Sequence, residues 1–504
     1  VSGGVSVDLD SPLTLADLEH VTRPVTLTVS DALRVRVNRC QDFIERHRQD
    51  EDPIYGTTTG FGPLVGYEAR PGTIDQGDNV VMHLTAGHGP DLDRAVVRAA
   101  MLIRTWTLAQ GRSGASMGLI DHLAAVLATD LYPAIPAVGS LGASGDLVPL
   151  AYLAQALQGR GHAYVHAQRM PADQALTVAG LPSVRVGGRE ALALVNGTSV
   201  TTAAAGLAIS SLLRSRRVAV LLTALLADVL GCTTAFADPH LLAAFGHPYA
   251  RCVGAQIAAL LDGCVPSPDR PLQEPYSIRC TPQLLGAAED ALVHARHVVG
   301  NDLTGISDNP LFFPEDDVVA HGGNFFGQPT AFAADLASLV ATQMGNLAER
   351  QLDLLLDPAR NGGLPPMLAA DPGRQHGLQG VQLAATALIA DMRRTTTPAS
   401  IQSLPTNGHN QDVIPLGTQA ALVALDHAHA LRLLHGSLAV ALRQAAHLRH
   451  RKESPRPSAP ACAEALDRLA DLIEPIDPDR PLDSEVSAAA DLLDQLYPVT
   501  VMTD

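Results

Sequence analysis

The stretch Gly139-Ser-Leu-Gly-Ala-Ser-Gly-Asp-Leu-Val-Pro-Leu150 holds the residues with the most chemistry in them. In Ala143-Ser144-Gly145 a small residue, a hydroxyl that can leave and a glycine follow one another. Glycine carries no Cβ, so its amide nitrogen can fold back closely on a preceding carbonyl. A bond from Gly145 N to the Ala143 carbonyl carbon, with loss of water, closes a five-membered ring. Loss of the Ser144 hydroxyl as a second water leaves an exocyclic methylene. The product is a strong electrophile made from the chain alone. By itself the tripeptide carries little weight in a chain with 42 glycines, so the residues around it decide.

Further blocks lie along the chain in order. Tyr55-Gly-Thr-Thr-Thr-Gly-Phe-Gly62 sets a phenol in a glycine-rich loop, and Asn196-Gly-Thr198 sets an amide before a long apolar run. Gln273-Glu-Pro-Tyr-Ser-Ile-Arg279 offers a guanidinium for a carboxylate, and Ser307-Asp-Asn-Pro-Leu311, Gly323-Asn-Phe325 and Asn410-Gln-Asp412 follow. With the Gly139–Leu150 segment, these seven blocks resemble the motifs of the histidine and aromatic amino-acid ammonia-lyase family. Its members use methylidene-imidazolone (MIO). The blocks span residues 55 to 412, most of the chain.

The resemblance implies a role for each residue. The ring from Ala143, Ser144 and Gly145 would be the electrophile, with Leu147, Gln273 and Asn410 supporting it. Tyr55 would take the β-proton of the substrate. An ordinary phenol keeps its proton to about pH 10, so the surroundings must favour the phenolate; an electron-poor ring and helix N-termini are the expected means. Arg279 would hold the substrate carboxylate through its planar fork, although a lone arginine is more often a surface ion pair. Asn196 and Tyr276 would hold the ring and the amine, Phe325 would pack near the ring, and Gly62 and Asn407 would contact substrate.

The substrate expectation rests on His83-Leu84. Tyrosine-specific members of the family resemble this chain in having His-Leu there, with the imidazole bonded to the phenol hydroxyl, whereas phenylalanine-specific members tend to have an aromatic residue first. A buried polar partner rejects the analogue that lacks the hydroxyl. Gln411 stands where histidine lyases have glutamate, which points away from histidine as substrate. The implied reaction is deamination of L-tyrosine to trans-p-coumarate and ammonia. The same blocks also serve tyrosine 2,3-aminomutases, which give β-tyrosine, and phenylalanine and histidine lyases. Departures from the family pattern are Phe326, where histidine is common, and Gln379 and Asn407, where plant enzymes carry charge. The resemblance further implies a homotetramer whose sites are shared between subunits.

The elements that must position these residues read as mainly α. The chain has 504 residues, 46% hydrophobic and 17% charged, rich in alanine and leucine. Ser30 or Asp31 opens a helix to about Arg48, and helical patterns follow near 78–88, 92–110, 116–129 and 146–158. Glycines from 56 to 72 mark a loop from Pro53 to about Gly77, and 162–190 reads as strand and turn, with a turn at Gly187-Gly188. Long helices are expected over 198–230, 281–303, 328–357, 376–394, 412–447 and 460–474. The resulting picture is a long-helix bundle (198–504) with a smaller mixed N-terminal region (1–197) that carries the MIO segment, an ammonia-lyase fold.

Composition excludes several classes. Acidic side chains number 52 against 35 basic, net −17, so no basic stripe serves nucleic acid or an anionic membrane surface. The six cysteines form no C-x-x-C pair and no H-E-x-x-H occurs, so neither a metal site nor a disulfide framework is expected. Lys452 is the sole lysine and lies in a proline-rich tract, a poor place for a pyridoxal phosphate imine. No nicotinamide or P-loop signature appears. The uncharged run from Ala191 to Leu213 carries too many polar residues for a membrane span. A signal pattern is absent from the first residues, and the expected setting is the cytoplasm.

Overall fold

Local rules account for the first long helix. The Ser30 hydroxyl accepts from Leu33 N at 3.0 Å, opening helix Asp31–Gln49. Leu33, Val37, Cys40, Phe43 and Ile44 recur on one face and are buried. Phe43, Cys40 and Ile44 then pack with Ile54 and Phe312 in a small core cluster. The computed structural model describes residues 5–49, 54–56, 59–67, 72–451 and 456–496. Lys452 and two threonines of the tyrosine loop, Thr57 and Thr58, lie outside the described residues.

Eighteen α-helices and nine short strands occur among the described residues. By compactness the chain forms two units. The first comprises Val1–Ala208, Ala295–Asp335 and Pro398–Leu422; the second comprises Ile209–His294, Leu336–Thr397 and Val423–Asp504. This grouping interleaves chain segments, where the reading of the sequence makes one cut after 197.

All nine strands belong to the first unit. Ser6–Asp8 pairs in parallel with Thr26–Thr28, and His88–Asp91 runs antiparallel to Pro136–Val138. Tyr132–Pro133, His162–Val165 and Gln168–Pro171 form a three-stranded antiparallel sheet, with Tyr132 stacked on Tyr164 at 4.9 Å. Leu311–Phe313 and Val318–Ala320 form a hairpin. Helix Arg94–Ala109 is buried from Val96 to its end. The second unit consists of helices and connecting loops, with no named strand among its described residues.

Helices Arg94–Ala109, Met117–Leu127, Leu147–Leu157, Ser199–Leu230, Thr281–Thr304 and Gln328–Leu356 fall within two residues of expectation. Gln379–Thr395, Gly417–His450 and Pro460–Ala470 match with looser ends. The helix expected near 78–88 runs instead over Thr73–Leu84, because Gly87, Gly89 and Pro90 turn the chain into a strand. Gly187-Gly188 is not a turn but the start of helix Gly188–Val195, where the alanines and leucines that follow outweigh the glycine pair. Helix Ala172–Ala179 also lies within the tract read as strand and turn. The run from Ala191 to Leu213 is broken at Asn196–Thr198, and no described helix is long and apolar enough to cross a membrane. Helices Pro239–Phe245, Pro248–Leu260 and Asp483–Leu496 were not expected; two of them open on proline at the first helical position, a start signal easily read as a break.

Candidate active site

The Ser144 segment is anchored from behind by Asp146, which is fully buried. Its carboxylate accepts from Val200 N at 2.8 Å and Thr201 N at 2.9 Å, capping helix Ser199–Leu230 from another part of the chain. The hydroxyls of Ser140, Thr201 and Thr418 lie 2.7, 2.7 and 3.0 Å from the same carboxylate. One side chain thus ties together residues 140, 200, 201 and 418. Helices Leu147–Leu157, Ser199–Leu230, Gln328–Leu356 and Gly417–His450 all begin here; Gly327 N donates to Gly142 O at 3.1 Å, and Gly142 packs on Gly417. Helix starts expose unpaired N–H groups, so this gathering supplies partial positive charge around Ser144.

The tripeptide itself is pinned on both sides. Gly145 N donates to Phe325 O at 2.9 Å and Asp146 N to Gly197 O at 2.7 Å. Gly145 has φ +64, and a Cβ there would lie 2.4 Å from Gly197 N and O, so only glycine fits. Ser144 is half-buried, and Gln411 Nε2 donates to its Oγ at 2.6 Å. Asn196 is buried; its Nδ2 donates to Asn309 O at 3.0 Å, while its Oδ1 has no partner. Thr198 N donates to Ser307 Oγ at 3.1 Å, and the buried Arg189–Asp308 ion pair holds the next two residues of that block.

The opposite edge comes from the glycine-rich loop and the end of helix Thr73–Leu84. Gly62 N donates to Tyr55 Oη at 2.7 Å, a donor placed where phenolate charge would sit. The Phe61 and His83 rings lie 5.2 Å apart, so the loop touches the helix end that carries His83. His83 Nδ1 lies 2.6 Å from Asn79 O, a pure acceptor, so the Nδ1 proton is engaged there. In the neutral imidazole this leaves Nε2 as an acceptor.

One cavity of about 510 Å³ in the first unit collects most of the candidates. Tyr55, Gly62, His83, Leu84, Ala143, Ser144, Gly145, Leu147, Asn196, Phe325, Asn407, Asn410 and Gln411 all line it. Gln273, Tyr276 and Arg279 do not. They belong to the second unit, where Arg279 Nη1 donates to Gln273 Oε1 at 2.7 Å, its guanidinium lies 4.7 Å from the Tyr276 ring centre, and Tyr276 is 71% exposed. Of the departures, Phe326 and Asn407 line the cavity and Gln379 does not. Leu141, Val148, Leu192 and Val413 also line it without having been singled out. In sequence they look like any core residue, and only their neighbourhood to the motifs could have marked them. Among the described residues no acidic, His or Cys cluster suits a metal, and all six cysteines are free thiols.

The chain matches the aromatic amino acid lyase family over residues 13–471 and belongs to it, a family of carbon–nitrogen lyases. It is 40% identical to a tyrosine ammonia-lyase of Cereibacter sphaeroides over 475 residues, 88% of this chain and 89% of that one. It is 33% identical to a histidine ammonia-lyase of Symbiobacterium thermophilum, covering 97% and 96% of the two chains. The solved structure of a tyrosine aminomutase from Streptomyces globisporus superposes with a TM-score of 0.90 at 32% identity, covering 98% and 97%.

Proposed function

We propose that the chain is a tyrosine ammonia-lyase that converts L-tyrosine to trans-p-coumarate and ammonia. The observation that carries the reading is the cavity that joins Ser144, Tyr55 and His83, with His83 Nδ1 committed to Asn79 O. The 40% identity to a tyrosine ammonia-lyase supports it.

Ala143, Ser144 and Gly145 fit the MIO ring: Gly145 occupies a backbone site that no Cβ could share, and Asn196 Oδ1 is buried and unpartnered beside it. Once formed, the ring supplies an electrophile that makes the substrate amine easier to expel. Leu147 and Asn410 line the wall that supports it, with Gln273 from the exposed block. Tyr55 Oη takes the β-proton, and the Gly62 N–H steadies the phenolate that results. With Nδ1 committed to Asn79 O, His83 accepts from the substrate phenol at Nε2, and a phenylalanine ring would leave that acceptor unpaired. Gln411 and Asn196 orient the substrate amine as neutral groups, and Phe325, Leu84 and Asn407 close around the substrate. Tyr276, exposed in its own chain, and the half-buried Arg279 complete the site of another copy, with Arg279 holding the carboxylate. The assembly is a homotetramer with shared sites.

The likeness to tyrosine aminomutase favours one second reading, in which ammonia returns to the β-carbon. Incubation with L-tyrosine, L-phenylalanine and L-histidine in parallel, with chromatography of each product, separates the readings. Coumarate formed fastest is the expected result. β-Tyrosine as main product establishes the mutase, and urocanate formed fastest overturns the substrate assignment.

A further inference from the structure

Two arginines six residues apart in helix Arg94–Ala109, Arg98 and Arg104, are both fully buried. They are satisfied very differently. Arg98 donates to five main-chain carbonyls, those of Val21, Arg23, Leu127, Thr129 and Leu131. That is a saturated clamp, and it explains itself as structure. Arg104 uses only Nη1, which donates to Asn196 O at 2.8 Å and Ser307 O at 3.0 Å. Its Nε and Nη2 have no partner, and among the described residues no carboxylate pairs with it. Leaving such donors unpaired in the interior is costly, so a gain elsewhere must keep the arginine there.

The location suggests the gain. Gly197 lies between Arg104 and the cofactor-forming tripeptide. A Cβ on Gly197 would sit 1.9 Å from Arg104 Nη1, and a Cβ on Gly145 would sit 2.4 Å from Gly197 N. Arg104 therefore grips the peptide against which Gly145 is packed, and it does so with a charge that no carboxylate cancels. Burial pulls its proton affinity down to about 10, with Asp308 and Asp146 acting in the opposite sense, so it remains a cation at neutral pH.

We infer that Arg104 is a positioning residue for ring closure: it fixes the Asn196–Gly197 peptide behind Gly145 and lends positive potential to the closing step. This rests on the reading that the ring forms. In that step a bond forms from Gly145 N to the Ala143 carbonyl carbon. The carbonyl oxygen departs as water, with protons from Gly145 N and Ser144 N. Ser144 Oγ departs as a second water, with its own proton and one from Ser144 Cα. Charge building on the Ala143 oxygen during the attack is what a nearby cation stabilises.

The test follows ring content by intact mass at intervals after synthesis is stopped, on folded protein matched by circular dichroism. The parent, R104M, R104K and R98K are compared, with Tm measured for each. A parent lacking the deficit of two waters overturns the underlying reading itself. With the parent dehydrated, R104M is expected to close its ring about tenfold or more slowly. R104K, which keeps the charge, stays within about threefold of the parent. R98K closes at the parental rate despite a lowered Tm. Parental closure in R104M, or equal slowing in R98K, overturns the inference. Should R104M not be recovered folded, R104K decides: closure near the parental rate supports the role, and blocked closure in folded R104K refutes it.

Discussion

The two walls of the cavity are built on opposite plans. The Ser144 wall is buried and its backbone is pinned by Gly197, Phe325 and the five donors around Asp146. The Tyr55–His83 wall is a glycine-rich loop and a helix end, with His83 and Leu64 exposed and few bonds across it. On the proposed function, chemistry that must strain the backbone would sit where the chain is over-determined, and selection of the substrate where one side chain can change without disturbing the fold.

Substitutions should divide along this line. The largest effect is expected from D146A, which strips the acceptor from two buried amides and leaves three hydroxyls to rearrange. A loss of about 3–5 kcal/mol is expected in denaturant unfolding. A change below about 1 kcal/mol would erase the distinction between the walls. Y55F comes next: kcat should fall about 10²–10⁴-fold with Tm unchanged and the mass deficit retained. H83F should lower kcat/KM for tyrosine about 10²-fold and raise it for phenylalanine, again with Tm unmoved. A drop in Tm in H83F would place that residue in the rigid wall instead.

A buried residue in the second unit gives the smallest effect. Desolvation lowers His435 from 6.5 to about 3. Its unfolded form binds a proton first, so stability is full above pH 6.5 and declines as pH falls toward 3. Between pH 7 and 5 this group should cost about 2 kcal/mol. H435L should flatten that slope in unfolding curves taken at each pH. An unchanged slope would mean that His435 stays neutral in both states or is solvated when folded.

The sequence shows which candidate groups gather in one cavity better than it shows what holds them there. The Ser144, Tyr55 and Gln411 blocks stand out because their residue types suit the proposed chemistry, and the structure brings them into one cavity. Long apolar periodic segments such as Ser199–Leu230 are legible because burial on one face fixes the period. Helix Gly188–Val195 was hidden by its opening glycines. Arg104 lies inside apolar helical text with nothing to mark it, and its partners are 92 and 203 residues away in sequence. The contact between Gln411 and Ser144 spans 267 residues. Supports of this kind are set by packing between distant segments, and local pattern does not encode them.

On the proposed function, Ala143, Ser144 and Gly145 make the electrophile. The most direct test is the intact mass of the parent beside that of S144A. The parent is expected to be lighter than its sequence by two waters, and S144A, with no hydroxyl to lose, to keep the full mass of its own sequence and make no coumarate. A parent at the full mass of its sequence, yet active on tyrosine, would contradict that assignment.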